Sequence, residues 1–113
     1  MNLGHFELAL NVADLNASLA FYRGLGFSQI EGSEESGVAV IESANCRIVL
    51  YRGYIAENLI NFRGGDIPVI VERARTAGLI FEKEPFSGLD GSMGALLRDP
   101  DGNAIYFVSH PNE

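Results

Sequence analysis

Glu7 lies in a run, Phe6 to Val12, in which Leu8, Leu10 and Val12 face one way and Glu7, Ala9 and Asn11 the other. On a strand face its carboxylate can act as a general base, partner a cation or ligate a metal. The plainer alternative is a sheet-face carboxylate neutralised by Arg47 or Arg63. Tyr106 offers a phenol, either a hydrogen-bond donor to a bound molecule or a half-buried strand aromatic. His110 shares the parity of Tyr106, and His5 that of Glu7; near a terminus an exposed, idle imidazole is the simpler reading of either. His5, Glu7 and His110 are nonetheless all acceptable ligand types, and together they would make a displaced metal site. Cys46 has no base beside it and reads as a small apolar residue rather than a nucleophile. No Gly-rich phosphate loop, Gly-x-Ser-x-Gly elbow or His-Glu-x-x-His pattern occurs.

These residues sit in a chain of 113 residues, the length of one domain, with 47% hydrophobic and 20% charged residues. A single cysteine excludes an intramolecular disulfide and a cysteine-rich metal site. Eight basic against fifteen acidic residues give a formal charge of −7, which repels phosphate backbones and anionic membranes and suits a cationic guest. No apolar run approaches the roughly 20 residues of a membrane span. The first fifteen residues hold Glu7 and Asp14 and no basic region, so no signal peptide is expected and the cytoplasm is the expected location.

The elements that position the candidates repeat. After the first strand, Asp14 can cap a helix carrying Leu15, Leu19 and Tyr22, stopped by Gly24 and Gly26. Strand-like stretches follow at Phe27 to Gly32, Gly37 to Glu42 and Cys46 to Arg52, with Glu31, Glu34 and Glu35 read as a solvated loop edge. The pattern then restarts. Leu59 to Arg63 alternates, Asp66 caps, Pro68 sits in the first helical turn, and Ile67, Ile70, Val71 and Ala74 form a stripe ended by Gly78. Phe81 belongs to a further strand. Gly94 to Arg98 and Ala104 to Ser109 flank the turn Asp99-Pro100-Asp101-Gly102-Asn103, where Arg98 is expected to pair with the turn aspartates. An offset of 52 residues maps Asp14 onto Asp66, Gly26 onto Gly78, Leu8 onto Ile60 and Leu19 onto Val71. That is the mark of an internal duplication. The reading is a single domain over 1–113, with module one about 1–53 and module two about 54–113.

Leu8-Ala9-Leu10-Asn11-Val12-Ala13-Asp14, the run Ser18 to Phe27 and the hairpin Arg98-Asp99-Pro100-Asp101-Gly102-Asn103 resemble the vicinal oxygen chelate superfamily. That group includes glyoxalase I, bleomycin-resistance proteins, fosfomycin-resistance enzymes and extradiol dioxygenases. The resemblance covers nearly the whole chain. It implies an α+β fold of two tandem βαβββ modules, a curved mixed sheet around a cup with the helices outside, and a homodimer. It also implies metal ligands at set places, which fall here on Glu7, Leu59 and Tyr106. A Leu cannot coordinate, and a Tyr phenol with a pKa near ~10 is a poor ligand at neutral pH. The expected site is therefore a sheet face carrying Glu7, Asn11, Arg47, Tyr51, Asn61, Arg63, Tyr106 and His110, holding a small cationic or aromatic molecule without a metal cofactor. The alternatives are a glyoxalase-type lyase or isomerase, or a dioxygenase-like enzyme, with metal on Glu7, His5 and His110, and a regulatory or structural dimer module with no ligand.

Overall fold

The computed structural model describes residues 2–88 and 91–111. Its elements run β1 (Gly4–Asn11), α1 (Leu15–Gly24), β2 (Ser28–Ser33), β3 (Val38–Ser43), β4 (Cys46–Tyr51), β5 (Leu59–Gly64), α2 (Ile67–Thr76), β6 (Phe81–Ser87), β7 (Met93–Arg98) and β8 (Ala104–Ser109). This is the α+β sequence of two βαβββ modules. The chain forms two compact units, Glu7–Asn58 and Leu59–Glu113 with Met1–Phe6.

In the first unit the strand order is β2-β3-β4-β1. β1 runs parallel to β4, with Leu8 opposite Ile48 and Asn11 opposite Tyr51, while the other pairs are antiparallel. Asp14 caps α1 as its sequence position suggests, Oδ1 accepting from the Ala17 amide at 3.0 Å. Leu15 and Leu19 from α1 meet Ala39, Ile41, Ile48 and Leu50, with Leu8, Leu10 and Val12 at the margin. The helix therefore covers the Leu8/Leu10 face and leaves the Glu7/Ala9/Asn11 face to the site.

In the second unit the order is β5-β8-β7-β6, with β5 parallel to β8. Asp66 caps α2 through the Val69 amide at 3.3 Å, and Pro68 occupies the first turn, where its missing N–H leaves no partner wanting. Ile67, Ile70 and Val71 pack on Ala95, Leu97 and Phe107, and the rings of Phe62 and Phe107 stack with centroids 5.5 Å apart. A side chain on Gly65 would put its Cβ 2.6 Å from the Leu3 carbonyl oxygen, so only glycine lets the amino-terminal segment lie so close to the start of α2.

The 52-residue offset holds for both helices. It then grows, because Val38 answers to Met93 and Cys46 to Ala104, offsets of 55 and 58. The turn after β7 is ordered by Asp99, whose carboxylate accepts from the amides of Asp101 and Asn103 and from Asn103 Nδ2. Arg98 does not pair with the turn aspartates as expected. It crosses to Glu82 on β6, with Nε and Nη2 at 2.6 and 3.2 Å from the two carboxylate oxygens, and Nη1 donates to the Gly102 carbonyl. The Asp99 carboxylate already has neutral donors, and β6 presents Glu82 within reach.

Candidate functional site

On the face of the first unit away from α1, strand pairing sets Arg47 opposite Glu42, Val49 opposite both Ala9 and Val40, and Tyr51 opposite Asn11 and Val38. Glu7 is 3% exposed, and its Oε2 lies 2.5 Å from Arg47 Nε. The contact is an ion pair by distance; the Nε–H itself makes no hydrogen bond. Arg47 Nη1 is 3.5 Å from Glu42 and Nη2 3.9 Å from Glu31. Three carboxylates thus lie within 4 Å of one guanidinium. Tyr51 is half-buried and meets the exposed Tyr54 ring edge-on at 6.4 Å. Asn11 is exposed; its backbone amide, not its side chain, is engaged, donating to Asn58 Oδ1 at 2.9 Å.

On the face of the second unit away from α2, Asn61 stands opposite Tyr106 and Arg63 opposite Val108. Asn61 is buried and Arg63 half-buried. The Tyr106 ring reaches across β7 so that its hydroxyl, with the Phe86 ring, fills the space a Cβ on Gly94 would need. Burial pushes the Tyr106 phenol above its ordinary value of 10.0. At neutral pH it is therefore an O–H donor, never a phenolate.

His110 departs from expectation. β8 ends at Ser109, so His110 lies past the strand, exposed, where alternation no longer decides its direction. His5 is exposed although it shares the parity of Glu7. Among the described residues no three His, Cys, Asp or Glu side chains come together to hold a metal ion, so His5, Glu7 and His110 do not form the displaced site. Glu31 and Glu42 were missed by the sequence reading, and Glu31 belongs to β2 rather than to a loop. The signal available was pairing: β3 and β4 join through the two-residue turn Ala44-Asn45, which sets Glu42 beside Arg47.

The residues present do not fit a divalent metal of the kind the resemblance implies. Glu7 is neutralised by a guanidinium, Leu59 has no donor atom, and Tyr106 is held protonated.

No family model matches the sequence, and no curated protein matches it. Solved structures do match. The chain is similar to a glyoxalase/bleomycin resistance protein/dioxygenase superfamily member from Vibrio splendidus 12B01, with 17% identity, 93% of this chain and 97% of that chain covered and a TM-score of 0.67. It is similar to a structure described as NAD-dependent benzaldehyde dehydrogenase from Legionella pneumophila, with 15% identity, 93% and 98% coverage and a TM-score of 0.76. A methylmalonyl-CoA epimerase from Mycobacterium tuberculosis matches at 19% identity, with 95% and 86% coverage and a TM-score of 0.63. The fold is that of the vicinal oxygen chelate proteins. The three neighbours carry three different descriptions, so the fold does not choose an activity.

Proposed function

We propose that this protein binds a small cationic or aromatic molecule on its open sheet faces without a metal, and that it does so as a homodimer in the cytoplasm. The observation that carries the reading is the ion pair between buried Glu7 and half-buried Arg47, which gives the carboxylate at the expected metal position an internal cation instead. The exposed carboxylates of Glu31 and Glu42 beside this pair, in a chain of formal charge −7, favour a cationic group there. On the second unit's own face the Tyr106 hydroxyl can donate to an acceptor on a molecule bound there, the Asn61 amide can orient it, and the half-exposed Phe86 ring offers a surface to stack on. No helix of the described residues is long and apolar enough to cross a membrane.

The test is an amide-resolved NMR titration with benzyltrimethylammonium, which carries both a cation and a ring, against benzoate as the anionic control. Saturable shifts at Ala9, Val49 or Asn61 with the cation, weakened in Glu42→Gln or Tyr106→Phe, support the reading. Equal response to both probes, or none to either, overturns it. Elution at the 12.2 kDa of a single chain would remove the dimer from the proposal.

A further inference from the structure

A second binding place lies on the opposite side of the second unit's sheet, away from Tyr106 and independent of the reading above. Beside the C-terminal half of α2 a cavity of about 430 Å³ opens among Leu3, Phe62, Ile70, Ala74, Leu97 and Phe107. That volume falls within the roughly 300–1,000 Å³ of small-molecule pockets, and the wall is hydrocarbon apart from one side chain, Arg73. Leu79, three residues past the helix, stands at the cavity 51% exposed, so apolar surface there meets water when the cavity is empty of a guest.

Arg73 also lines a second, more polar cavity with Asn2, Gly64, Gly65, Asp66, Glu72 and Thr76, so this one residue borders both an apolar and a polar space. Its neighbour in charge, Arg75, lies over the Phe81 ring at 5.9 Å. Arg73 has no such use: among the described residues no carboxylate comes within ion-pair distance of it. Its position in the last turns of α2 complements the negative end of the helix, which explains a cation there but not its place on an apolar cavity wall.

We propose that this cavity takes a small amphipathic monocarboxylate, its hydrocarbon tail against the partly exposed wall residues Leu3, Phe62, Leu79 and Ile105 and its carboxylate on the Arg73 guanidinium. Asp66 already accepts from the Val69 amide, and with Glu72 it makes the polar cavity itself unwelcoming to an anion. That places the head group at the border and not beyond it. The apolar wall supplies affinity in proportion to the tail area it covers, and the guanidinium, with planar paired donors, selects the carboxylate.

The experiment is an amide-resolved NMR titration of the full chain with sodium octanoate, octan-1-ol and octylammonium, each below its aggregation concentration. Octanoate is expected to give saturable shifts at Ala74, Ala77, Leu97 and Phe107. Arg73→Gln should weaken octanoate about fivefold, the weight of an ion pair open to water on one side, and leave octan-1-ol unchanged. Ala77→Phe, placed on the cavity wall, should abolish both while leaving the spectrum dispersed. Absence of saturable octanoate shifts, equal affinity in Arg73→Gln, or tighter binding of octylammonium overturns the proposal. So does a set of the same shifts on simple concentration of the protein, which would assign the cavity to a second copy of the chain.

Discussion

Replacing Arg47 with alanine leaves Glu7, 3% exposed, without the cation that lies 2.5 Å from it. Removing one member of a fully buried ion pair costs about 3–5 kcal/mol, because the remaining charge keeps its desolvation and loses its compensation. The Arg47 side chain is 23% exposed, so water screens part of the pair and about 2–3 kcal/mol is the fitting range. Glu42 and Glu31 push the same way, since with the guanidinium gone they repel Glu7. In a domain of this length the melting temperature should fall by about 8–12 °C. Arg47→Met retains much of the stem packing and isolates the charge. The decisive variant is the double one. Glu7→Gln should destabilise the wild type more than it destabilises Arg47→Ala, since the carboxylate is worth less once its guanidinium is gone. Thermal and urea unfolding of the four proteins gives the coupling directly. A loss under about 1 kcal/mol in Arg47→Ala, or additive losses in the double variant, would refute the ion pair as the organising feature of this face.

Gly94→Ala puts a Cβ 2.8 Å from Phe86 Cζ and into the Tyr106 hydroxyl. Both are ends of side chains that can swing away, so stability should change by no more than about 1 kcal/mol while binding of an aromatic probe weakens; a crystal structure with Tyr106 unmoved would contradict this. The Tyr106 phenol is raised by burial in the folded state, so its contribution is complete below the ordinary value of 10.0 and is lost as pH rises through the folded value. Tyr106→Phe should therefore unfold less steeply with alkali, as followed by circular dichroism, and an unchanged alkaline slope would count against the burial. Asp99 is lowered chiefly by the Asn103 side-chain hydrogen bond, so its support of the turn is present above 3.8 and fades as pH falls through its lower folded value. Asp99→Asn should remove that part of the acid dependence, measurable as a flatter loss of melting temperature with acid.

Both helices are legible in the sequence because Asp14 and Asp66 are local signals, a side chain satisfying amides three residues on, and the apolar stripes of Leu15/Leu19 and Ile67/Ile70/Val71 follow. The strands are legible for the same reason, since alternation in Phe6 to Val12 already says that Glu7 and Leu8 face opposite ways. Partners across strands are a different matter. Arg47 meets Glu31 only because β3 lies between β2 and β4 and a shift of register on β2 between Gln29 and Glu31 brings Glu31 opposite Val40. Spacing along the chain does not encode such a bulge. The same holds for Arg98, which prefers Glu82 sixteen residues away to the aspartates beside it. His110 fails for a third reason: the strand ends one residue earlier, and element boundaries are the weakest part of any pattern reading. The apolar cavity beside α2 has no sequence mark at all, because its wall is built from residues that read as ordinary core.

Metal-free binding is tested most directly by thermal unfolding after exhaustive chelation, repeated with saturating nickel, cobalt, manganese or zinc. A metal held at about a hundred times its Kd would add about 2.7 kcal/mol to the folded state. In a chain of this length that is a rise of about 10 °C. With Glu7 neutralised by Arg47 and Tyr106 held protonated, the predicted result is no rise with any of the four. A rise of that size, lost in Glu7→Gln, would contradict it and restore a metal centre at Glu7.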